Sequence, residues 1–330
     1  MNFRRRLPGI PWLYPVCPTG YALAQRVSPK RLRTQIRIVS TEPRYSIELP
    51  PAQKPEQEKP APRVSAVVVS RNRSALLRRC LESLELSEGR DTLQVIVIDN
   101  GSTDGSAQWD AEFPKVQFVR LPKNFGLTKA MNIGWRAADA AYVFFLHDDS
   151  AVEPSTINLL AGVLDATPEA AAVCPLLVDA EGHPAPQLGS LPPDGQWRPA
   201  GVTGDQPATV EYPRGAAFMM RVFLIKAIRQ IDEHYGQFGG DADLAAQILK
   251  ASKKILLVPT ARARHQGSQG YSAAERADFL LGRGVFLEKY QGFGAGLKAR
   301  LSAIFGALLG FRLAEFRNIV SGQKIDGTQP

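Results

Sequence analysis

Two short apolar runs that end abruptly in acidic and small polar residues constrain the fold of this chain more than any other feature. The first is Val95–Ile98, which leads into Asp99 and a polar turn; the second is Phe144–Leu146, which leads into His147–Asp149. Buried parallel strands have this pattern, and ligands of open α/β sheets bind just beyond the carboxyl ends of the strands. The two runs therefore predict a site for a phosphate-bearing ligand and a divalent metal ion at one sheet edge.

The charge of the chain is unevenly distributed, which bears on the partners it can have. The net charge is +8, but residues 64–275 carry 20 basic and 24 acidic side chains, so the whole surplus lies in the two ends. An acidic middle flanked by basic ends without interleaved aromatic residues argues against nucleic-acid binding and favours contact with an anionic membrane or simple solubility.

Cysteine content and hydropathy indicate the compartment. The three cysteines (Cys17, Cys80 and Cys174) share no short spacing, so neither a disulfide framework nor a zinc site is expected, and a reducing compartment fits. No apolar run reaches the ~18–20 residues that a membrane span requires. The predicted location is cytoplasmic, with a peripheral contact to the inner face of the cell membrane.

Three regions follow one another along the chain. Residues 1–62 read as an extension with two short strands and a Pro-rich linker, residues 63–272 as the catalytic domain, and residues 273–330 as a helical region. Within the catalytic domain, strands alternate with helices, which predicts a mostly parallel sheet covered on both faces. The predicted strands are 64–69, 95–98, 116–120, 142–146 and 255–258; the predicted helices are 74–86, 104–112, 126–138, 154–166 and 241–252. Residues 181–209 read as a loop over the site.

Six ordered sequence blocks carry a resemblance to a known enzyme family. They are Val67–Arg73, Val97–Ser106, Asn124–Gly134, Leu146–Asp149, Phe238–Leu244 and His265–Ser268. Together they resemble the inverting glycosyltransferases of family 2, in particular rhamnosyltransferase-like members, over roughly residues 64–290. The resemblance implies an α/β GT-A fold, Rossmann-like, with a mostly parallel sheet flanked by helices, here bearing a basic N-terminal extension and a C-terminal amphipathic helical region.

The resemblance implies a donor site for a nucleotide-diphosphate sugar. Asp99 is expected to accept a hydrogen bond from the pyrimidine ring, which suits uridine and thymidine alike; the plain alternative is a helix cap in the same polar turn, and both can hold. Arg73 and Lys129 could equally be solvated helix residues. The other residues assigned to the donor side are Ser70, Asn72, Ser102, Asn124, Gly126 and Asp148.

His147–Asp149 takes the place of the family's Asp-x-Asp motif, with a histidine at the first acidic position. Asp149 matches the carboxylate that ligates Mg²⁺ or Mn²⁺ in the family, and His265 matches a histidine that completes the metal shell. Mn²⁺ accepts imidazole as well as oxygen ligands, so His147 is a third candidate.

On the acceptor side, Asp241 matches the position of the catalytic base, and Asp243 would orient it, cap the helix or bind the acceptor. Two acids in the first turn of a helix also stabilise the helix dipole, so their spacing alone does not separate these roles. Gly215 leaves room for a sugar, and Trp197 would either stack on that sugar or pack in the protein.

These inferences predict an inverting transferase that passes a sugar from dTDP-rhamnose or a UDP-sugar to a hydroxyl of a bacterial surface glycan or lipid-linked acceptor. Two alternatives are a non-catalytic nucleotide- or glycan-binding relative, since His147 and Gly240 replace acids, and a nucleotidyltransferase, although Ser70–Ala75 lacks the glycine-rich loop expected there. The residues around Leu297–Arg317 suit either a basic amphipathic helix at a membrane interface or a helix packed on the catalytic domain.

Overall fold

The computed structural model describes residues 61–201, 204–267 and 271–325. The chain divides between Glu58 and Lys59, and every described residue belongs to the second unit. The two short strands and the Pro-rich linker expected before residue 62 lie outside the described residues. The division at residues 272 and 273 stays a prediction.

The first half of the domain alternates strands and helices as the sequence predicts. Its elements are β1 Val64–Ser70, α1 Ser74–Glu85, β2 Leu93–Asp99, α2 Trp109–Glu112, β3 Val116–Arg120, α3 Leu127–Arg136 and β4 Tyr142–His147. The predicted helix at 104–112 is instead a short 3₁₀ turn at Gly105–Gln108 followed by the single turn of α2. Because β1, β2 and β4 are buried along almost their whole length, they read as continuous apolar runs.

The second half contains more strands than the sequence pattern indicates. Its elements are β5 Ser150–Val152, α4 Thr156–Ala166, β6 Ala170–Val178, β7 Pro186–Gly189, β8 Arg198–Pro199, β9 Ala208–Val210, β10 Tyr212–Pro213, β11 Ala217–Arg221, α5 Val222–Ala227, α6 Gly240–Lys250, β12 Lys254–His265, α7 Ala273–Gln291, α8 Phe293–Leu309 and α9 Leu313–Ser321. Helix α4 begins at Thr156, so Pro154, the first residue of the predicted helix 154–166, lies in the turn before it.

The described strands form a nine-stranded sheet in the order β3-β2-β1-β4-β11-β6-β12-β5, with β9 paired to β12. Strands β1, β2, β3, β4, β6 and β12 run in one direction, which confirms the mostly parallel sheet, while β5, β9 and β11 run against them. A separate antiparallel sheet, β10-β7-β8, takes two short strands, β7 and β8, from the segment 181–209 predicted as a loop.

Strand β6 is an element that the sequence analysis missed. All of its residues are buried, so it shows no alternation, and its three leading alanines give no β-branched signal. Pro175 inside it has no amide hydrogen to donate to a ladder. Beside it, the register of β12 shifts between Val258 and Arg262.

The C-terminal helices pack through small residues and turn large apolar ones outward. On α8, Gly296, Ala303 and Ala307 are buried, and a Cβ at Gly296 would lie 2.6 Å from the Cβ of Glu288 on α7. The opposite face of α8 and the start of α9 expose large apolar side chains, among them Leu297, Leu301, Phe305, Leu308, Phe311 and Leu313. The small-residue face of α8 therefore fits the alternative in which the helix packs on the protein. The exposed apolar face fits the alternative of a helix at a membrane interface. None of the described helices is long and apolar enough to cross a membrane.

Candidate active site

The carboxyl ends of β1, β2 and β4 lie side by side because these strands are in parallel register. Ser70 pairs with Asp99, and Val69 pairs with His147. The polar residues after each strand therefore meet at one edge of the sheet, as the two apolar runs predict.

Asp99 and Asn72 join the loops that follow β2 and β1. The Asp99 carboxylate accepts a hydrogen bond from the Ser102 amide at 2.9 Å, and the Asn72 amide donates to Ser102 Oγ at 3.0 Å. The Asn72 side chain accepts from the Thr103 amide at 2.7 Å, with Asn72 itself at a φ of 53°. This loop pair is positioned beside the site but does not line its cavity, so nucleotide binding by these residues stays a prediction.

Asp104, which the sequence analysis did not single out, provides the helix cap that was expected in the polar turn after β2. One carboxylate oxygen accepts from the Ser106 amide and the other from the Ser74 amide at the start of α1, at 3.2 and 2.8 Å. Partial burial raises the pKa of Asp104, but the Ser106 hydroxyl and these two amides outweigh it and lower that pKa. Asp104 therefore caps its own 3₁₀ turn and also binds the first residue of α1.

Asn124 and Gly126 belong to a second hydrogen-bonded loop at the same edge. Asn124 Oδ1 accepts from the Gly126 amide and from the Asn100 side chain, both at 2.9 Å. Gly101 has a φ of 74°, and a Cβ there would lie 2.5 Å from the Lys123 backbone, so only glycine fits. Lys129 is half-buried on α3 and is not among the residues lining the cavity.

His147, Asp149 and His265 form a cluster whose candidate ligand atoms all lie within 4.8 Å of one another. His265 Nε2 is 3.3 Å and His147 Nδ1 is 3.9 Å from Asp149 Oδ1. That oxygen is buried and has no hydrogen-bond partner among the described residues. A buried polar atom without a partner is costly, and a cation at this point would satisfy it.

The electrostatics of the cluster suit a cation. Burial raises the pKa of Asp149, but the two imidazoles and Arg73 outweigh it and hold that pKa at about 2. Desolvation lowers the pKa of His147 to about 4, so its imidazole is neutral at physiological pH and its nitrogen can act as a ligand.

Asp148 faces the loop after β1 rather than the metal cluster. Its carboxylate accepts from Ser70 Oγ at 2.8 Å and from Arg73 Nη1 at 3.2 Å; the same Arg73 nitrogen lies 3.4 Å from Asp149. Burial raises the pKa of Asp148 against the effect of these two donors. Arg73 thus contacts both carboxylates. Arg73 and Asp149 line the cavity, whereas Ser70 and Asp148 do not.

Asp241 lies at the start of α6 and projects into the cavity. Its carboxylate accepts a hydrogen bond from the Ala242 amide at 2.9 Å. That amide, the Tyr212 hydroxyl and the Gly215 amide are donors that lower the pKa of Asp241. Desolvation raises its pKa in spite of these donors. A Cβ at Gly215 would lie 3.2 Å from the Asp241 Cβ, so the glycine keeps this carboxylate accessible.

Asp243, two residues further along α6, is fully buried and absent from the cavity wall. Its carboxylate accepts from Tyr290 Oη at 2.9 Å and Gln247 Nε2 at 2.7 Å, and pairs with Lys289 Nζ at 2.9 Å. Two of these partners are on α7, so this network ties α6 to the C-terminal helices.

One cavity of about 370 Å³ connects these groups. Seven residues predicted from the sequence line it: Arg73, His147, Asp149, Trp197, Gly215, Asp241 and His265. Trp197 packs on the ring of Tyr212 at 5.0 Å between centroids and carries the Arg214 guanidinium over its own ring, so it stacks within the protein and still faces the cavity.

The sequence analysis missed the far wall of the cavity. That wall includes Tyr212, Phe238 and Tyr271, and side chains of α7 and α9: Arg276, Phe279, Leu280, Arg283, Arg312 and Glu315. The only available signal was the recurrence of Arg276, Leu280 and Arg283 at helical spacing, which by itself reads as an ordinary amphipathic pattern.

Comparison with known proteins places this site in a family. Residues 65–224 match Glycosyl transferase family 2. The N-acetylglucosaminyl-diphospho-decaprenol L-rhamnosyltransferase of Mycobacterium tuberculosis is 27% identical over 219 residues, covering 57% of this chain and 71% of the relative. The succinoglycan biosynthesis protein ExoO of Rhizobium meliloti is 31% identical over 107 residues, covering 32% of this chain and 30% of the relative.

Solved structures show the same fold at low sequence identity. GalNAc-T7, crystallised with UDP, GalNAc and Mn²⁺, superposes with a TM-score of 0.61 at 16% identity, covering 81% of this chain and 57% of that one. Residues 1–349 of TarS from S. aureus, in complex with UDP, give a TM-score of 0.51 at 17% identity, covering 76% of this chain and 75% of that one. The expected GT-A fold is confirmed, and the chain contains a glycosyltransferase family 2 domain at residues 65–224.

Proposed function

We propose that this chain is an inverting glycosyltransferase that moves a sugar from a nucleotide-diphosphate donor, dTDP-rhamnose or a UDP-sugar, to a hydroxyl of a bacterial surface glycan or lipid-linked acceptor. The observation that carries the proposal is that one cavity contains both the His147–Asp149–His265 cluster and the half-buried Asp241. The name of the mycobacterial relative supports a rhamnosyl donor, and the UDP in two structures of this fold supports a UDP-sugar.

Asp241 would act as the general base. Its carboxylate takes the proton of the acceptor hydroxyl while that oxygen attacks the anomeric carbon of the donor. The bond between this carbon and the diphosphate oxygen breaks, and the nucleoside diphosphate departs with the electron pair. A single displacement of this kind inverts the anomeric centre. Desolvation favours the protonated form of Asp241, which makes the carboxylate a stronger base than an exposed aspartate.

His147, Asp149 and His265 would hold a divalent cation, and we propose Mn²⁺ rather than Mg²⁺. Two of the three donor atoms are imidazole nitrogens, which Mn²⁺ tolerates better than Mg²⁺ does. The unpartnered oxygen of Asp149 supports such an ion. When bound, the ion would supply positive charge to the departing diphosphate. Arg73 lies 3.4 Å from Asp149 and would add a second positive charge at the same end.

Isothermal titration of UDP and of dTDP, each with and without Mn²⁺, tests the proposal on the full chain. We expect nucleotide binding that depends on Mn²⁺ and is lost in Asp149→Ala. Asp205→Ala is the matched control, because Asp205 is exposed and does not line the cavity. If neither nucleotide binds under any condition, the transferase proposal is wrong. If a nucleotide binds but the donor sugar is never hydrolysed or transferred, the non-catalytic alternative is favoured instead.

We also propose that the outer face of α8 and α9 contacts an anionic membrane. The large apolar side chains on this face are exposed, 59% for Phe305 and 88% for Phe311. Lys298, Arg300 and Arg317 are distributed around them, and the C-terminal region carries a surplus of basic residues. Apolar residues ringed by cations match the chemistry of a lipid headgroup surface.

A further inference from the structure

We infer that the acceptor carries a phosphate or diphosphate next to its receiving sugar, and that arginines of α7 and α9 bind this anion. The inference rests on the proposed function and names the chemical class of its acceptor. It begins from the far wall of the cavity, which the C-terminal helices build.

One face of α7 points into the cavity. Arg276, Phe279, Leu280 and Arg283 all line it, and their spacing of three, four and seven residues places them on one side of the helix. Arg283 is exposed to the cavity and has no ion-pair partner among residues 61–201, 204–267 and 271–325.

A buried carboxylate holds two more arginines at this wall. Glu315 on α9 is fully shielded, and its oxygens lie 3.0 Å from Arg276 Nε and 2.9 Å from Arg312 Nη1. Each of the two arginine side chains remains 44% exposed. One carboxylate thus orients two guanidinium groups without neutralising both.

The charge at this end of the cavity is positive. Arg276, Arg283 and Arg312 face Glu315 and one further acid, Glu275, whose carboxylate accepts from the Ser272 amide in the cap of α7. Guanidinium groups in a partly dry cavity bind phosphate oxygens through paired, charge-assisted hydrogen bonds. A neutral sugar would leave this excess of positive charge without a counterion.

An aromatic wall connects the arginines to Asp241. Phe238, three residues before Asp241, contacts Phe279 of α7 with ring centroids 6.4 Å apart and Tyr271 at 5.3 Å. Aromatic rings provide flat apolar surface on which the face of a sugar ring can pack. The order of base, aromatic rings and arginines therefore matches a sugar hydroxyl, a sugar ring and a phosphate in one acceptor.

The arginines face the acceptor side rather than the donor side. Arg73 lies 3.4 Å from Asp149 of the metal cluster, which is the donor end in the proposed function. Arg276 and Arg283 flank Phe279 on α7, and the Phe279 ring contacts Phe238, three residues before Asp241. The arginines are therefore tied through Phe279 to the end of the cavity that holds the proposed base.

Isothermal titration tests the inference on the full chain with the donor end occupied by Mn²⁺ and whichever nucleotide, UDP or dTDP, binds. The probes are inorganic phosphate, farnesyl phosphate and farnesol. We expect Arg283→Ala to weaken binding of both phosphates about tenfold, which corresponds to the loss of one charged hydrogen bond. Arg283→Lys should retain part of the affinity, and Arg79→Ala is the control, since Arg79 is an exposed arginine of α1 outside the cavity.

Each outcome is decisive. Farnesyl phosphate that binds much more tightly than inorganic phosphate identifies a lipid-linked acceptor, whereas equal affinities identify a soluble phosphate-bearing glycan. Farnesol that binds as well as farnesyl phosphate, no binding of either phosphate, or an Arg283→Ala variant with unchanged phosphate affinity overturns the inference. Failure of the nucleotide itself to bind overturns the proposed function, and so the two failures are distinguished in one set of titrations.

Discussion

Asp241 and Asp243 are two residues apart on α6 yet lie in different environments. A helix turns by about 100° per residue, so neighbours at this spacing face nearly opposite sides. Asp241 faces the cavity, with Tyr212 and Gly215 around it, while Asp243 is fully buried against α7. Asp241 is therefore the carboxylate that can reach a ligand in the cavity, whereas Asp243 stabilises the contact between α6 and α7.

Replacing Asp241 by asparagine removes the proposed base with little change in volume. We expect turnover to fall by about 10²–10⁴-fold while nucleotide affinity stays unchanged, because general-base catalysis acts on the transition state. Steady-state rates together with nucleotide titration measure the two effects. Asp243→Asn should instead lower the Tm, since Asp243 pairs with Lys289 inside the protein. An Asp241→Asn variant with normal turnover would exclude this residue as the base.

The rate should also depend on pH through Asp241. Burial raises the pKa of this carboxyl above its ordinary value of 3.8, and only the deprotonated form accepts a proton. Turnover at saturating donor should therefore fall as the pH decreases through that raised pKa. The Tyr212 hydroxyl lowers the pKa of the Asp241 carboxyl, so Tyr212→Phe should move the acid limb to higher pH. A limb that is unmoved in Tyr212→Phe would assign it to another group.

At the scale of single residues, sequence patterns located the side chains that carry charge at strand and helix ends. His147, Asp149 and Asp241 follow from the motif order, and all three line one cavity. Tyr212 and Phe238 could not be predicted in the same way, because each lies in a segment without strong periodicity and reaches the site only through tertiary packing. Asp104 was missed since its two backbone partners lie on different loops.

At the scale of elements, α7 is fastened to the catalytic domain by Lys289. Its ammonium lies 2.7 Å from Asp232 and 2.9 Å from the buried Asp243. Burial raises the pKa of Asp232, but Lys289 and the His234 donors outweigh it and lower that pKa to about 2. One side chain thus neutralises carboxylates from two segments.

Lys289→Ala should therefore lower the free energy of unfolding by about 1–3 kcal/mol, because it leaves Asp243 buried with one charged partner fewer. Asp232 has a depressed pKa in the folded state, so its contribution is present above pH 3.8 and is lost as the pH falls towards about 2. The Tm difference between wild type and variant should shrink over that range. Lys298→Ala, on the exposed side of α8, is the control and should have little effect at any pH.

Elements with strong periodicity or clear boundaries were predictable, and those without were not. Strand β2 and helix α3 follow from an apolar run and a helical spacing that end in polar turns. Strand β6 and the short strands between residues 186 and 213 did not follow, because burial on both faces or very short length removes the alternation on which such predictions depend.

At the scale of the whole molecule, the cavity joins two unlike parts. Residues 65–224, which match the family, supply Arg73, His147 and Asp149, and β12 adds His265. The basic far wall comes from α7 and the start of α9. The sequence analysis left open whether the C-terminal region lies at a membrane interface or packs on the catalytic domain. In the structure the small residues of α8 pack inward while its large apolar residues remain exposed, and membrane contact by the exposed face stays a proposal.

The open face of α8 and α9 predicts binding to anionic vesicles. Removing one apolar side chain from a membrane-inserted position costs about 1.5–3 kcal/mol, so Phe305→Ser or Phe311→Ser should reduce vesicle affinity about tenfold or more. Co-sedimentation with phosphatidylglycerol and with phosphatidylcholine vesicles, at low and high salt, measures this. Phe223→Ser is the matched control, because Phe223 is 60% exposed but lies on α5. We expect wild type to prefer the anionic vesicles and to lose affinity with salt, since the surrounding cations are screened. Equal effects of Phe223→Ser and Phe305→Ser, or no preference for anionic lipid, would contradict a membrane-facing role.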